Sequence, residues 1–308
     1  MFSNSKKLLF VAALAFGCNI VSLAQQVIQV TWPTRHAAEP PALDQQQKQW
    51  MPALRLAFSS LPEESVISLG LSQGAILGLE TADANKLQSL FASYYTRVRQ
   101  SSAFRTAPSA LPYCFADQKP GTGLATVYLP ATITTNTRRI VFVHGFGGSF
   151  LAYAHYLATT FSNDVVICPA YGISPATIPA GYIGEAVSAV LRKEPRAKQK
   201  PILIGLSAGG VGACRVYVSN PDSYAQLICL GSIPPSDAIS RFTGRMNVMF
   251  ISGAREAHII DGSFEQQLKE LRRRNSAVHS ELIQGADHYF LFSHEVQTRT
   301  ALTKAVKQ

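Results

Sequence analysis

"LIGLSAGGVG", residues 203–212, holds the pattern G-x-S-x-G at Gly205, Ser207 and Gly209, with an apolar run before it and a helix-like run after it. That pattern marks a sharp strand-to-helix turn that presents a serine nucleophile. A second copy, "SLGLSQGAIL" at residues 69–78, centres on Ser72 and shares the run Gly-Leu-Ser. Five positions do not choose between two such serines. The choice rests on what surrounds each.

Around Ser207 the rhythm is regular. Apolar, β-branched runs recur as "RRIVFVHG", "DVVICPAYG", "PILIGLS", "QLICLGS", "NVMFISG" and "VHSELIQG". Helix-length spacers separate them: "SFLAYAHYLATTF", "AGYIGEAVSAVLRKE", "AGGVGACRVYVSN" and "SFEQQLKELRRRN". Strands that are apolar on both faces and alternate with helices predict a mainly parallel sheet with helices on both faces. Ahead of them, "LPYCFA" and "LATVYLP" read as two short strands joined by "DQKPGTG", an antiparallel edge on that sheet. Residues 290–306 supply a final helix.

In open α/β sheets, ligands bind outside the carboxyl ends of the strands. Successive strand ends here carry His144-Gly145-Phe146-Gly147-Gly148, then Leu206-Ser207-Ala208-Gly209-Gly210, then Gly253-Ala254-Arg255-Glu256, then Gly285-Ala286-Asp287-His288. A glycine turn, a serine, an acid and a histidine thus follow one another in chain order. Over roughly residues 111–306 the sequence resembles the α/β-hydrolase family. That family has a histidine-glycine turn after the third strand, the nucleophile elbow after the fifth, an acid after the seventh and a histidine after the eighth.

The resemblance implies an α/β-hydrolase fold and a Ser207–His288–acid triad, with the backbone N–H groups of Phe146 and Ala208 as oxyanion donors. A serine hydroxyl is a poor nucleophile until a base takes its proton, and His288 is the candidate base. Glu256 stands where the family usually has Asp. Asp261, in "HIIDGS", and Asp237, after the sixth strand, remain open as the acid. Asp287 is discounted because it adjoins His288. His144 reads as a structural residue of its turn, and His155, His258, His279 and His294 as ordinary histidines. Ser72 precedes the oxyanion turn, with too few strands before it to build a supporting sheet, although "SVISLG" could be a strand.

The rest of the sequence bounds the protein more loosely. Its 308 residues are 47% hydrophobic and 15% charged, the composition of a globular chain. Residues 1–24 read as a secretory signal peptide: Lys6 and Lys7, then the apolar "LLFVAALAFGCNIVSLA", ending in Ser22-Leu23-Ala24. Lipoprotein processing at Cys18 is a minor alternative, since Ala15-Phe16-Gly17 matches its signal poorly. Cleavage takes the formal charge from +9 to +7, Lys6 and Lys7 being the only charged residues lost.

That basic balance comes without an aromatic-basic repeat, and "LRRRN" reads as a solvated helix end, so nucleic acid is not an expected partner. No membrane span is expected after cleavage. Cys114, Cys168, Cys214 and Cys229 sit in apolar runs without metal-ligand spacing, and neither a metal nor a cofactor is expected. The chain divides into the signal peptide, a partly helical extension at 25–110 and a catalytic domain at 111–308. In the extension, Leu87, Leu90, Phe91, Tyr94, Tyr95 and Val98 recur at helical spacing.

The expected function is that of an exported serine hydrolase acting on a small or polymeric carboxylic ester through an acyl-enzyme. A lipase, thioesterase, peptidase or acyltransferase shares the same machinery, and a non-catalytic binding protein of this fold is the rival from another class. No large lid is inserted between the sixth and seventh strands. The site is therefore open or loop-rimmed, unless residues 25–110 cover it.

Overall fold

Alternation along the apolar strands decides the layering. In "RIVFV", Ile140 and Phe142 enter one core while Val141 and Val143 enter another. In "ILIGL", Ile202, Ile204 and Leu206 join the first core and Leu203 the second. Successive strand side chains point to opposite faces, so unbroken apolar strands require cover on both.

The computed structural model describes residues 25–38, 45–72, 80–115, 120–244, 246–274 and 277–307. The basic-apolar segment 1–24, with Cys18, lies outside the described residues. Eight strands form one sheet: β1 (Gln26–Pro33), β2 (Thr122–Leu129), β3 (Arg139–Val143), β4 (Val165–Ala170), β5 (Ile202–Leu206), β6 (Gln226–Leu230), β7 (Val248–Gly253) and β8 (Val278–Ile283). Their order is β1-β2-β4-β3-β5-β6-β7-β8. β2 runs antiparallel to both β1 and β4, and every other pairing is parallel. This is the α/β-hydrolase fold.

The helices are α1 (Gln45–Ser60), α2 (Glu63–Ser72), α3 (Thr81–Gln100), α4 (Leu111–Phe115), α5 (Leu151–Thr160), α6 (Ala180–Lys193), α7 (Ala208–Ser219), α8 (Ser236–Ile239), α9 (Ala257–Ile260), α10 (Ser263–Arg274), α11 (Phe290–Ser293) and α12 (Glu295–Ala305). α6, α7 and α10 bury Ile183, Ala213 and Leu268 against one face of the sheet. α3, α5 and α12 bury Tyr94, Tyr156 and Ala301 on the other. None of the described helices is long and apolar enough to cross a membrane.

Two local expectations are corrected. "LPYCFA" forms α4 rather than a strand: Ser109 Oγ accepts the N–H of Leu111 at 3.1 Å, and Pro112 occupies the first turn, where a proline favours a helix. The antiparallel partner of β2 is instead β1, in register from Gln26↔Leu129 to Pro33↔Thr122. Trp32 lies across the sheet over Gly123, where any Cβ would meet the indole ring. "SVISLG" is also helical, inside α2. Pro62 precedes that helix, and Glu63 and Glu64 supply the acidic first turn that suits a helix N-terminus.

Residues 25–110 are woven into the molecule. Ala57, Val66, Phe91 and Tyr94 share one core with Ile140 and Ile204 of the sheet. Glu63 pins this region down. Its buried carboxylate accepts the N–H of Leu151, at the start of α5, at 2.6 Å, and the hydroxyls of Tyr95 and Ser109. Arg97 pairs with Glu295, and Lys86 pairs with Asp287 beside His288.

Candidate active site

Ser207 is the single residue between β5 and α7. With φ 53° and ψ −120° it is the only non-glycine at positive φ among the described residues. Such a conformation costs about 1–3 kcal/mol and persists only where the surroundings impose it. Here they do. A Cβ at Gly205 would strike the Gly209 carbonyl, and one at Gly209 would strike the carbonyls of Val143 and His144. The Ser207 N–H donates to the Leu230 carbonyl at 2.8 Å, and its own carbonyl accepts from Gly210 at 2.9 Å. The hydroxyl is thereby held above the carboxyl edge of the sheet.

The loop after β8 brings His288 to it. Nε2 of His288 lies 3.0 Å from Ser207 Oγ, and Nδ1 lies 2.6 Å from Glu256 Oε2. Glu256 follows β7 and is 4% exposed. Its other oxygen accepts the Gly253 N–H at 2.8 Å, so the long side chain curls back onto its own turn. That contact resolves the length mismatch with an aspartate, because it shortens the effective reach of the glutamate. His258 Nδ1 lies 3.8 Å from the same Oε2. Burial holds the His258 pKa down, against the opposing pull of Glu256.

Sequence reading missed Gly231, the residue directly after β6. At φ 56°, with a hypothetical Cβ only 3.2 Å from the His288 ring, it leaves the space in which the imidazole sits. A glycine ending an apolar run was its only signal.

The remaining candidates fall as follows. Ala208 follows Ser207 directly and Phe146 lines the same cavity, and among the described residues neither N–H meets a backbone acceptor. His144 is fully buried. Its Nδ1–H donates to the Gly145 carbonyl at 2.7 Å and Nε2 accepts the Tyr171 N–H at 3.3 Å. Burial pushes its pKa down to about 4, so it is a neutral brace for the turn.

Asp261 is exposed and accepts the Ser263 N–H at 2.8 Å, at the start of α10. Asp237 is exposed and paired with Arg215 at 2.9 Å. Neither is brought to the histidine. Ser72, in the last turn of α2, donates to the Leu69 carbonyl at 2.7 Å. Residues 73–79, the rest of its motif, lie outside the described residues. The four described cysteines are buried thiols.

A cavity of about 390 Å³ opens from Ser207 and His288. Its roof is helical and comes from residues 25–110: Leu54 and Phe58 of α1, Ile67 and Leu71 of α2, Leu87 and Phe91 of α3. Phe150, Tyr153 and Phe292 continue the lining in ring contact with Phe91, and Phe146, 54% exposed, stands in the same lining. The region whose role the sequence left open therefore covers the site.

The sequence matches no protein-family model, and it matches no curated protein. Among solved structures it is similar to fluorophosphonate-binding serine hydrolase F of Staphylococcus aureus, with TM-score 0.49 and 16% identity over 62% of this chain and 95% of that one. It is also similar to a dienelactone hydrolase of Anabaena variabilis, with TM-score 0.48 and 16% identity over 63% of this chain and 92% of that one. A third is the S-formylglutathione hydrolase of S. aureus, with TM-score 0.47 and 15% identity over 61% of this chain and 91% of that one. The likeness is one of fold.

Proposed function

We propose that the protein is a serine hydrolase that cleaves carboxylic esters through an acyl-enzyme on Ser207. The observation that supports this most is the unbroken chain from Ser207 Oγ through His288 to the buried Glu256, at 3.0 and 2.6 Å. In the first step Ser207 Oγ attacks the ester carbonyl carbon while its proton passes to His288 Nε2. Glu256 favours the resulting imidazolium, since a carboxylate at hydrogen-bond distance stabilises the cation. The C–O bond to the alcohol then breaks, and His288 returns the proton to the leaving oxygen. Water, deprotonated by the same histidine, releases the acid and restores Ser207.

The N–H groups of Phe146 and Ala208 are the proposed oxyanion donors. Losing one such donor typically costs about 10²–10³ in rate. A non-catalytic role has less support, because a binding protein has no use for a strained serine aligned with a base. Export, and hence a periplasmic or secreted location, is part of the proposal on the strength of residues 1–24. The test is turnover of p-nitrophenyl acetate by the purified chain. Wild type should release p-nitrophenolate and Ser207→Ala should not; equal rates for the two would reject the mechanism.

A further inference from the structure

We infer that the cavity beneath α1, α2 and α3 is an acyl-chain site, and that the physiological substrate is an ester of an unbranched fatty acid of medium length. The inference rests on the serine-hydrolase reading and adds the substrate class to it. Its basis is the chemistry of the lining. Among the described lining residues, apart from Ser207 and His288, only Tyr153 and Tyr289 carry side-chain polar atoms, and none is an acid, a lysine or an arginine. A sugar polymer, a peptide or a phosphorylated acyl group bound in such a space would leave its polar atoms without partners, which is costly. A hydrocarbon chain incurs no such loss.

Size narrows the class. The volume of about 390 Å³ corresponds to about thirteen water-sized groups, at roughly 30 Å³ each, and so to a chain of roughly a dozen carbons. An acetyl group would leave most of the cavity unfilled. The apolar rings of Phe58, Phe150 and Phe292 are only half-buried, so each keeps surface that a chain would cover. The chain is assigned to the acyl side of the ester for a kinetic reason. The alcohol departs after the first step and water must then arrive, whereas the acyl group stays attached through both. A roofed cavity suits the part that stays.

The experiment is a series of p-nitrophenyl esters from acetate to palmitate, with a parallel series of alkyl acetates, on the full chain. Each methylene buried in an apolar site is worth up to about a fourfold gain. kcat/KM should therefore climb with acyl length to about dodecanoate and fall beyond it, while the alkyl acetates stay flat. Leu54→Trp and Leu87→Trp, which push an indole into the cavity from two helices, should each lower the dodecanoate-to-acetate ratio about tenfold or more. Because this is a ratio within one sample, it does not depend on the fraction of variant that folds. Leu61→Trp, exposed and outside the lining, should leave the ratio at its wild-type value.

Turnover of acetate with no rise along the acyl series would overturn the acyl site and leave the serine-hydrolase reading standing. So would a length dependence seen only in the alkyl acetates, or unchanged ratios in both cavity variants. Failure of every ester together with no labelling by a fluorophosphonate would instead sink the parent reading.

Discussion

A serine at φ 53° is held there by neighbours that have no side chains to spare: Gly205 and Gly209 lie within collision distance of backbone on both sides. Ser72, by contrast, lies within α2. There the serine closes a helix and returns its hydroxyl to the Leu69 carbonyl. Ser72→Ala should therefore leave ester turnover within about twofold of wild type, the usual outcome for a surface substitution that breaks no network.

The acid can be assigned by the same logic. Among the described acids, only Glu256 is both buried and within 2.6 Å of His288 Nδ1. Glu256→Gln should lower kcat by about 10³–10⁴, while Asp261→Asn should change it little; steady-state kinetics on both variants decides. The sequence favoured this acid from its place after the seventh strand but left Asp261 and Asp237 open. Its second contact, to the Gly253 N–H, was not, because it depends on how a long side chain folds back on its turn.

At the scale of elements, the decisive feature is how the three N-terminal helices are fastened. The stripe Leu87, Leu90, Phe91, Tyr94, Tyr95 and Val98 was legible as a packing face, and the last four are buried, but amphipathic spacing does not say which surface it meets. The tie is Glu63, whose carboxylate collects three donors from three different segments. Burial raises its pKa, the three donors oppose that, and burial prevails.

A carboxyl whose folded pKa lies above the unfolded value of 4.5 has its full stability below that pH and loses it as the pH rises through the folded value. Glu63→Gln should thus be least stable relative to wild type near pH 4, with the gap shrinking or reversing by pH 8. Urea denaturation at the two pH values checks the sign.

Across the whole molecule, a parallel sheet collects the ends of β3, β5, β7 and β8 at one edge, which is why four motifs spread over some 140 residues of chain, from His144 to His288, converge. This much of the fold was readable in order. An antiparallel edge was readable as well, but not its pairing, since β1 and β2 are separated by α1 to α4 and no local signal joins them.

The cores on either side of the sheet also set the response to acid. His144 and His155 are buried, and burial lowers both pKa values to about 4, with Arg299 and Arg97 adding to the effect at His155. Both lie below the unfolded value of 6.5, so their stability is full above that pH and is lost as the pH falls toward 4. Folding stability should decline between those limits by up to about 1.4 kcal/mol per pH unit for each histidine. A His155→Gln variant should show a shallower decline in the same titration.

The proposed reactive centre is one atom, Ser207 Oγ. The most direct measurement is labelling with a fluorophosphonate, followed by peptide mass spectrometry to locate the adduct. The account predicts a single adduct on the peptide containing Ser207, near one per chain, absent in Ser207→Ala and formed far more slowly in His288→Ala. An adduct on Ser72, or undiminished labelling of Ser207→Ala, would contradict it.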